Sequence, residues 1–129
     1  MSSNISAQQV REACQEMISK DFFVIFTRPV KKIKEILELL EEHLKYQIDL
    51  EKKGILFAAG PFWSEDNSSW SGEGMIIIKA NNYDDAFKIA SSDPMHKSGS
   101  RSFKVKPWML CEGSMTIELN HSSRTYKIK

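Results

Sequence analysis

The stretch FFVIFTRPVKKIKEILELLEEHLKYQIDLEKKGILFAAGP, from Phe22 to Pro61, decides the fold. Phe22-Phe-Val-Ile-Phe26 is apolar, rich in strand-forming residues and too short for a helix, and Arg28-Pro29 closes it, so it reads as a buried central strand. From Val30 to Lys53 the spacing turns helical: Ile33, Leu37, Leu40, Leu44 and Ile48 form one stripe, with Lys34, Glu38, Glu41, Lys45 and Asp49 opposite. Gly54 stops this helix behind Lys52 and Lys53, whose charges suit the negative end of the helix dipole. Ile55 to Ala59 then reads as a second strand, closed by Gly60-Pro61.

Working outward, Met75 to Lys79 reads as a third strand, reached through a polar connection, Ser64 to Gly74, that is either a hairpin tip or a lid. Asn82 caps a second helix with Asp84 and Asp85 in its first turn, and Pro94 ends it near Ser92 by pushing Asp93 out of the helical region. Ser102 to Trp108 alternates apolar and polar residues as a half-buried strand does, and Pro107, which cannot donate to a ladder, means that the strand lies near an edge or changes course there. Strand, helix, strand, strand, helix, strand is the split βαβ pattern of a ferredoxin-like α+β domain, βαββαβ over residues 21–111, with an antiparallel sheet and two helices on one face. Residues 1–20 form an N-terminal helical extension: Ser6-Ala-Gln-Gln9 has capping-box spacing, and Val10, Cys14, Met17 and Ile18 recur every three or four residues. Residues 112–129 form a C-terminal extension, in which Met115, Ile117, Leu119, Tyr126 and Ile128 fall at strand spacing. Nothing in the sequence covers the second sheet face, and Phe22 to Phe26 and Ile76 to Ile78 look apolar on both sides, so a homodimer is expected.

Composition narrows the function. A chain of 129 residues, 41% apolar, is about one domain's worth and can bury a core. Eighteen Lys and Arg against seventeen Asp and Glu leave a net charge of +1, without the basic surplus of a nucleic-acid binder. No apolar run approaches the roughly 20 residues that span a bilayer, and the N-terminus lacks the apolar core of a signal peptide, so no membrane partner is expected. Cys14 and Cys111 stand apart with no Cys-x-x-Cys pair, which fits a reducing cytoplasm. There is no phosphate loop, dinucleotide fingerprint, His-Glu-x-x-His or nucleophile elbow, and the histidines are scattered, so neither a cofactor nor a metal is expected.

His43 falls inside the arc from Leu39 through Leu40 and Leu44 to Ile48, and so points inward. It is either a core histidine with a satisfied nitrogen or a general base in a pocket between helix and sheet. Asp93-Pro94 is either a helix cap and first helical residue, starting a turn through Met95 and His96, or a carboxylate that takes the imidazole N–H of His43 and fixes its tautomer. His96 and His121 lie in polar loops and are expected to be exposed, with His96, Ser98 and Ser100 standing where a site mouth would be lined. Phe62, Trp63, Trp70 and Trp108 are candidates for an aromatic pocket or for core: Trp108 is read as core, Trp63 and Trp70 are open, and the backbone near Gly60 or Gly99 is a candidate oxyanion donor.

Phe23-Val-Ile-Phe26, His43-Leu44, Gly54-Ile-Leu-Phe-Ala-Ala-Gly60-Pro61, Gly74, Asp85-Ala86, Asp93-Pro94, Gly99 and Val105-Lys-Pro-Trp108 occur in one order. On these marks the chain from about Phe22 to Trp108 resembles the YciI-like (YCII-related) family. The resemblance implies a ferredoxin-like fold that pairs as a dimeric α/β barrel, with a cleft near the dimer interface. It also implies that His43 and Asp93 match the family's proposed catalytic pair, and a related dehydrochlorinase of a chlorinated hydroxyquinol shows the fold performing proton abstraction and elimination. The expected function is therefore a small-molecule isomerase or lyase using His43 and Asp93, with Gly60, Phe62, Trp63 and Ser98 binding substrate. Two other readings stay open: a non-catalytic module that binds a small ligand, and a dimer that recruits partners through its extra helix and tail. The N-terminal helix, the insertion Phe62 to Trp70 and the tail after Cys111 lie outside the family pattern.

Overall fold

The computed structural model describes residues 3–129. In chain order the elements are α1 (Ala7–Ala13), β1 (Lys20–Pro29), α2 (Ile33–Glu38), α3 (Leu40–Lys52), β2 (Leu56–Pro61), β3 (Gly74–Ile78), α4 (Tyr83–Ser91), the single turn α5 (Pro94–Lys97), β4 (Arg101–Leu110), β5 (Ile117–Asn120) and β6 (Thr125–Ile128). They divide into two compact units: Asp21–Met109, and the chain up to Lys20 with Leu110–Lys129.

In the larger unit the sheet order is β2-β3-β1-β4, with β3 antiparallel to both β1 and β2. That is the ferredoxin-like α+β order: the first helical connection skips one place in the sheet, and β3 fills it. Residues of β1 alternate between faces, so Ile25 meets Ile76 and Ile78 of β3 and Ala86 and Ala90 of α4 in the core, with Phe23, Phe103 and Val105 packed around them. The two alanines let α4 lie close on the sheet. The Tyr46 hydroxyl donates to the Ile89 carbonyl at 2.6 Å, tying α3 to α4. The opposite sheet face carries Phe22, Val24 and Ile77, all buried, and Phe22 lies 4.5 Å from Phe57 and 6.0 Å from Trp108 between ring centres. Phe26, Phe57 and Trp108 on that face keep 38%, 49% and 39% of their surface exposed. β4 ends the strand order, where the missing N–H of Pro107 is tolerated.

The helix expected from Val30 to Lys53 is two helices that break at Leu39, whose φ and ψ are −102° and 5°. The inward stripe also differs from the expected one. Ile36, Gln47 and Leu50 are buried, while Ile33, Leu37, Leu44 and Ile48 are about half exposed. Positions 36, 40, 43, 47 and 50 satisfy helical spacing as well as the purely apolar set does, and hydrogen bonds let His43 and Gln47 occupy it. Gly54 stands just past α3 at φ +75°, a left-handed position that suits glycine. The connection between β2 and β3 is pinned by a local turn. Ser64 Oγ accepts the Ser68 and Ser69 amides, and Asp66 accepts the amide and hydroxyl of Ser68, which with the Ser64 hydroxyl hold its carboxyl at about 2.

In the smaller unit, Ser6 caps α1 through a capping box: its hydroxyl accepts the Gln9 amide at 3.1 Å, and its own amide donates to Gln9 Oε1 at 3.0 Å. β5 and β6 form an antiparallel hairpin that sets Ile117 against Ile128 and Leu119 against Tyr126. Cys14 and Cys111, apart in sequence, are half-buried free thiols close to one another. Burial and the neighbouring Cys14 thiol push Cys111 up from its ordinary value.

Ile78 is fully buried in β3 and pairs with both Phe23 and Leu56, so truncating it empties the centre of the core. Ile78→Ala is expected to lower the unfolding free energy by about 2–5 kcal/mol, read from the urea midpoint at an unchanged slope.

Candidate active site

The site grows from Asp93, 1% exposed at the start of α5. Its Oδ1 accepts the Met95 amide at 2.9 Å, so it is the cap of that turn, with Pro94 as the first helical residue. Its Oδ2 accepts His43 Nδ1 at 2.7 Å and Gln47 Nε2 at 3.2 Å, both from α3. The two readings of Asp93-Pro94 therefore hold together, because the carboxylate's two oxygens serve two purposes. Burial on its own would raise the Asp93 carboxyl, but the His43 hydrogen bond and charge and the Met95 amide outweigh it, leaving Asp93 below the ordinary 3.8. An ionised Asp93 only accepts, so Nδ1 of His43 carries the proton. His43 Nε2 hydrogen-bonds no described residue, and when the ring is neutral its lone pair is free.

His43 has a side chain 12% exposed and lines a hollow of about 330 Å³ together with Thr27, Leu40, Leu44, Gly60, Trp63, Trp70, Gly74 and Arg101. That volume suits a single-ring molecule. Gly74 permits the approach of β3 to β2 here, since a Cβ on it would meet the Gly60 carbonyl oxygen at 3.1 Å. Arg101, at the head of β4, is 6% exposed, and its guanidinium lies 5.6 Å from the centre of the Trp70 ring. The indole Nε1–H of Trp70 donates to the Glu73 carbonyl at 2.7 Å, which sets the ring's angle. Burial pulls the Arg101 pKa below its ordinary value, opposed by the charge of Asp93. Two buried polar atoms among the described residues lack a partner: Arg101 Nε and Gln47 Oε1.

His96 corrects its expectation of exposure. It is half-buried against Phe103, ring centres 4.5 Å apart, with Nδ1 donating to the Ala90 carbonyl at 2.7 Å and Nε2 accepting the Thr27 hydroxyl at 2.9 Å. Burial lowers its pKa below 6.5, in keeping with this neutral pattern. Of the sequence-derived candidates, His43, Gly60 and Trp63 meet at the hollow, with Asp93 directly behind His43. Phe62 lines instead a larger neighbouring hollow of about 840 Å³ that His43 does not reach. Ser98 lines neither: its hydroxyl donates to the Met95 carbonyl or the Ser100 hydroxyl and closes the turn after α5. Trp70, left open by the sequence, belongs to the site, and His121 lies exposed in the β5–β6 turn.

Sequence reasoning missed Arg101, Thr27 and Gln47. Each carried a positional signal. Arg101 precedes Phe103 and Val105 on the inward parity of β4, Thr27 follows Phe23 and Ile25 on that of β1, and Gln47 lies one turn beyond His43. No three His, Cys, Asp or Glu side chains gather to hold a metal among the described residues, and no helix there is long and apolar enough to cross a membrane.

Among family models, that of the YCII-related domain matches residues 22–109. None of the curated proteins matches the chain. Among solved structures, the chain resembles 5-chloro-2-hydroxyhydroquinone dehydrochlorinase from Burkholderia phenoliruptrix AC1100, in a complex with 2,5-dihydroxybenzoquinone. The two are 20% identical over 67% of this chain and 92% of that one, with a TM-score of 0.56. The likeness is one of fold.

His96 yields a test of the site's electrostatics. Its folded pKa lies below 6.5, so on acidification the unfolded chain takes up the proton first. Its contribution to stability is present above about pH 6.5 and is lost as pH falls towards the folded value. His96→Asn, which keeps a donor for the Ala90 carbonyl, is expected to flatten the fall in melting temperature between about pH 7 and pH 5, measured by calorimetry beside the wild type.

Proposed function

The chain belongs to the YCII-related family, and from that premise we propose that it is a small-molecule enzyme in which His43 removes a proton from a single-ring substrate held in the 330 Å³ hollow. The observation that carries this reading is the 2.7 Å hydrogen bond from His43 Nδ1 to the buried Asp93, which leaves Nε2 as the basic nitrogen at the hollow. Nε2 takes a proton from a carbon next to a carbonyl or from a ring hydroxyl, and the freed electron pair moves into the ring. Return of the proton to another atom gives isomerisation, and elimination follows where the pair moving into the ring forms a double bond as the carbon–halogen bond breaks and halide departs with that bond's own electrons. Asp93 holds the ring's tautomer and orientation and offsets the positive charge that His43 gains. The dehydrochlorinase of like fold supports an elimination on a hydroxylated, halogenated ring as the first chemistry to try. Trp63, 60% exposed at the hollow, and the backbone at Gly60 lie where they can bind the substrate.

The reading extends to assembly and compartment. Phe26, Phe57 and Trp108 leave an apolar strip on the second sheet face, which a second copy of the chain would cover in a dimeric α/β barrel. Two free thiols fit a reducing cytoplasm.

Two experiments test these proposals. Incubated in deuterated water with hydroxylated and halogenated hydroquinones, the wild-type protein is expected to speed deuterium incorporation or halide release, and His43→Gln to slow either by about 10²- to 10⁴-fold. Asp93→Asn, which retains a capping oxygen for Met95 while losing the charge, is expected to slow it too; unchanged rates in His43→Gln would return His43 to a structural role. In sedimentation equilibrium the protein is expected at twice the mass of the 14.8 kDa chain, and Phe57→Asp at the mass of one; a monomeric wild type refutes the dimer.

A further inference from the structure

Arg101 is a buried cation that feels the charge of Asp93 but makes no ion pair with it. Its residue is 6% exposed, its Nε has no hydrogen-bond partner, and its guanidinium makes no ion pair with any described residue. A buried, unsatisfied donor on a charged group is costly, and native proteins keep few of them. β4 places it on the inward parity shared with Phe103 and Val105, where an apolar side chain would pack without that cost. The cation does not float in the hollow: Trp70 lies under it, 5.6 Å away, and the Trp70 indole is itself fixed by its 2.7 Å bond to the Glu73 carbonyl. Arginine stacks on aromatic faces and presents a planar fork of donors that matches a pair of acceptor oxygens. Arg101 and His43 line the same hollow, whose remaining walls are mainly apolar.

We infer that Arg101, held on Trp70, is the residue that recognises an anionic oxygen of the ligand, so that the hollow takes planar rings bearing a carboxylate or phenolate in preference to neutral ones. The inference rests on the reading of this hollow as a substrate site, and it is independent of whether His43 is a base there. The anion completes the hydrogen bonds of the guanidinium, and the ring lies among Trp63, Leu44 and Trp70. Held by its charged edge, such a ring is fixed in its plane opposite His43, which makes Arg101 a determinant of specificity and of substrate position.

The test compares two probes of the same shape, benzoate and benzamide, titrated at neutral pH and followed by tryptophan fluorescence, since Trp63 and Trp70 both line the hollow. The wild type is expected to bind benzoate about tenfold or more tightly than benzamide. Arg101→Gln should bring benzoate down to the level of benzamide while leaving benzamide unchanged. Should Arg101→Gln fail to fold, Arg101→Lys gives the same result at smaller amplitude, with benzoate weakened and benzamide not. A wild type that binds the two equally or takes up neither overturns the assignment, as does a folded Arg101→Gln that binds benzoate like the wild type. His43→Gln should keep the preference for benzoate. A wild type that shows the preference but speeds no deuterium exchange or halide release would remove only the proton-transfer reading, and one that speeds either without the preference would remove only the role of Arg101.

Discussion

The structure of the site depends on one buried carboxylate. Asp93 is almost wholly removed from water, and a carboxylate in that position costs several kcal/mol unless its oxygens are bonded. Its partners come from two directions: the Met95 amide from its own turn, and His43 and Gln47 from one face of α3. The same ion therefore starts α5, locks α3 against that turn and sets which nitrogen of His43 carries the proton. The three roles meet in one side chain, and the charge is needed for the last of them. Asparagine would cap the turn as well but would not hold an imidazolium.

Placing that ion behind His43 has consequences for the hollow in front. Its walls are mainly apolar, with few polar groups, so charges there interact more strongly than they would in water. Thr27, Gly74 and Arg101 stand on β1, β3 and β4 and His43 on a helix, and those strands are hydrogen-bonded neighbours in one sheet. Groups held in this way are positioned in advance of any ligand, which is the condition that orientation and proton transfer would both need. The insertion between β2 and β3 contributes Trp63 and Trp70 from a segment tied down by its own serine and aspartate bonds. Its aromatic side chains are thus presented at defined angles.

Much of the fold was legible. Phe22 to Phe26, Met75 to Lys79 and the alternation of Ser102 to Trp108 marked three strands because their apolar spacing has no other use, and the order of elements selected the ferredoxin-like sheet. His43 was legible as inward-facing from its angle on the helix, and Asp93 from its place before proline. The break at Leu39 was not, since nothing near it in the sequence is a helix breaker. The rotation of the inward stripe was hidden for a related reason. A search for apolar residues chose Ile33, Leu37, Leu44 and Ile48, while the inward positions after Ile36 include His43 and Gln47, which become affordable in a core only once Asp93, fifty residues from His43, supplies their hydrogen bonds. His96 looked like a loop residue because the Ala90 carbonyl and the Thr27 hydroxyl that satisfy it come together only in the folded chain.

The buried polar residues point to function by where they are. Thr27, Gln47, Asp93, Ser100 and Arg101 are the polar residues buried among those described, and all belong to one neighbourhood: Asp93 with the Gln47 that bonds it, Thr27 and Arg101 lining the hollow, and Ser100 next to Arg101 in the chain. Stability alone does not call for this. Buried ionic groups can often be exchanged for apolar residues of similar size with no loss, and sometimes with a gain. Elsewhere the interior follows that economy, with isoleucines from β1 and β3 packed on the alanines of α4. Local rules of burial are broken in a single place, around a histidine with a free nitrogen and an arginine with a free donor, and a fold that breaks them only there has concentrated its cost where a ligand can make use of it.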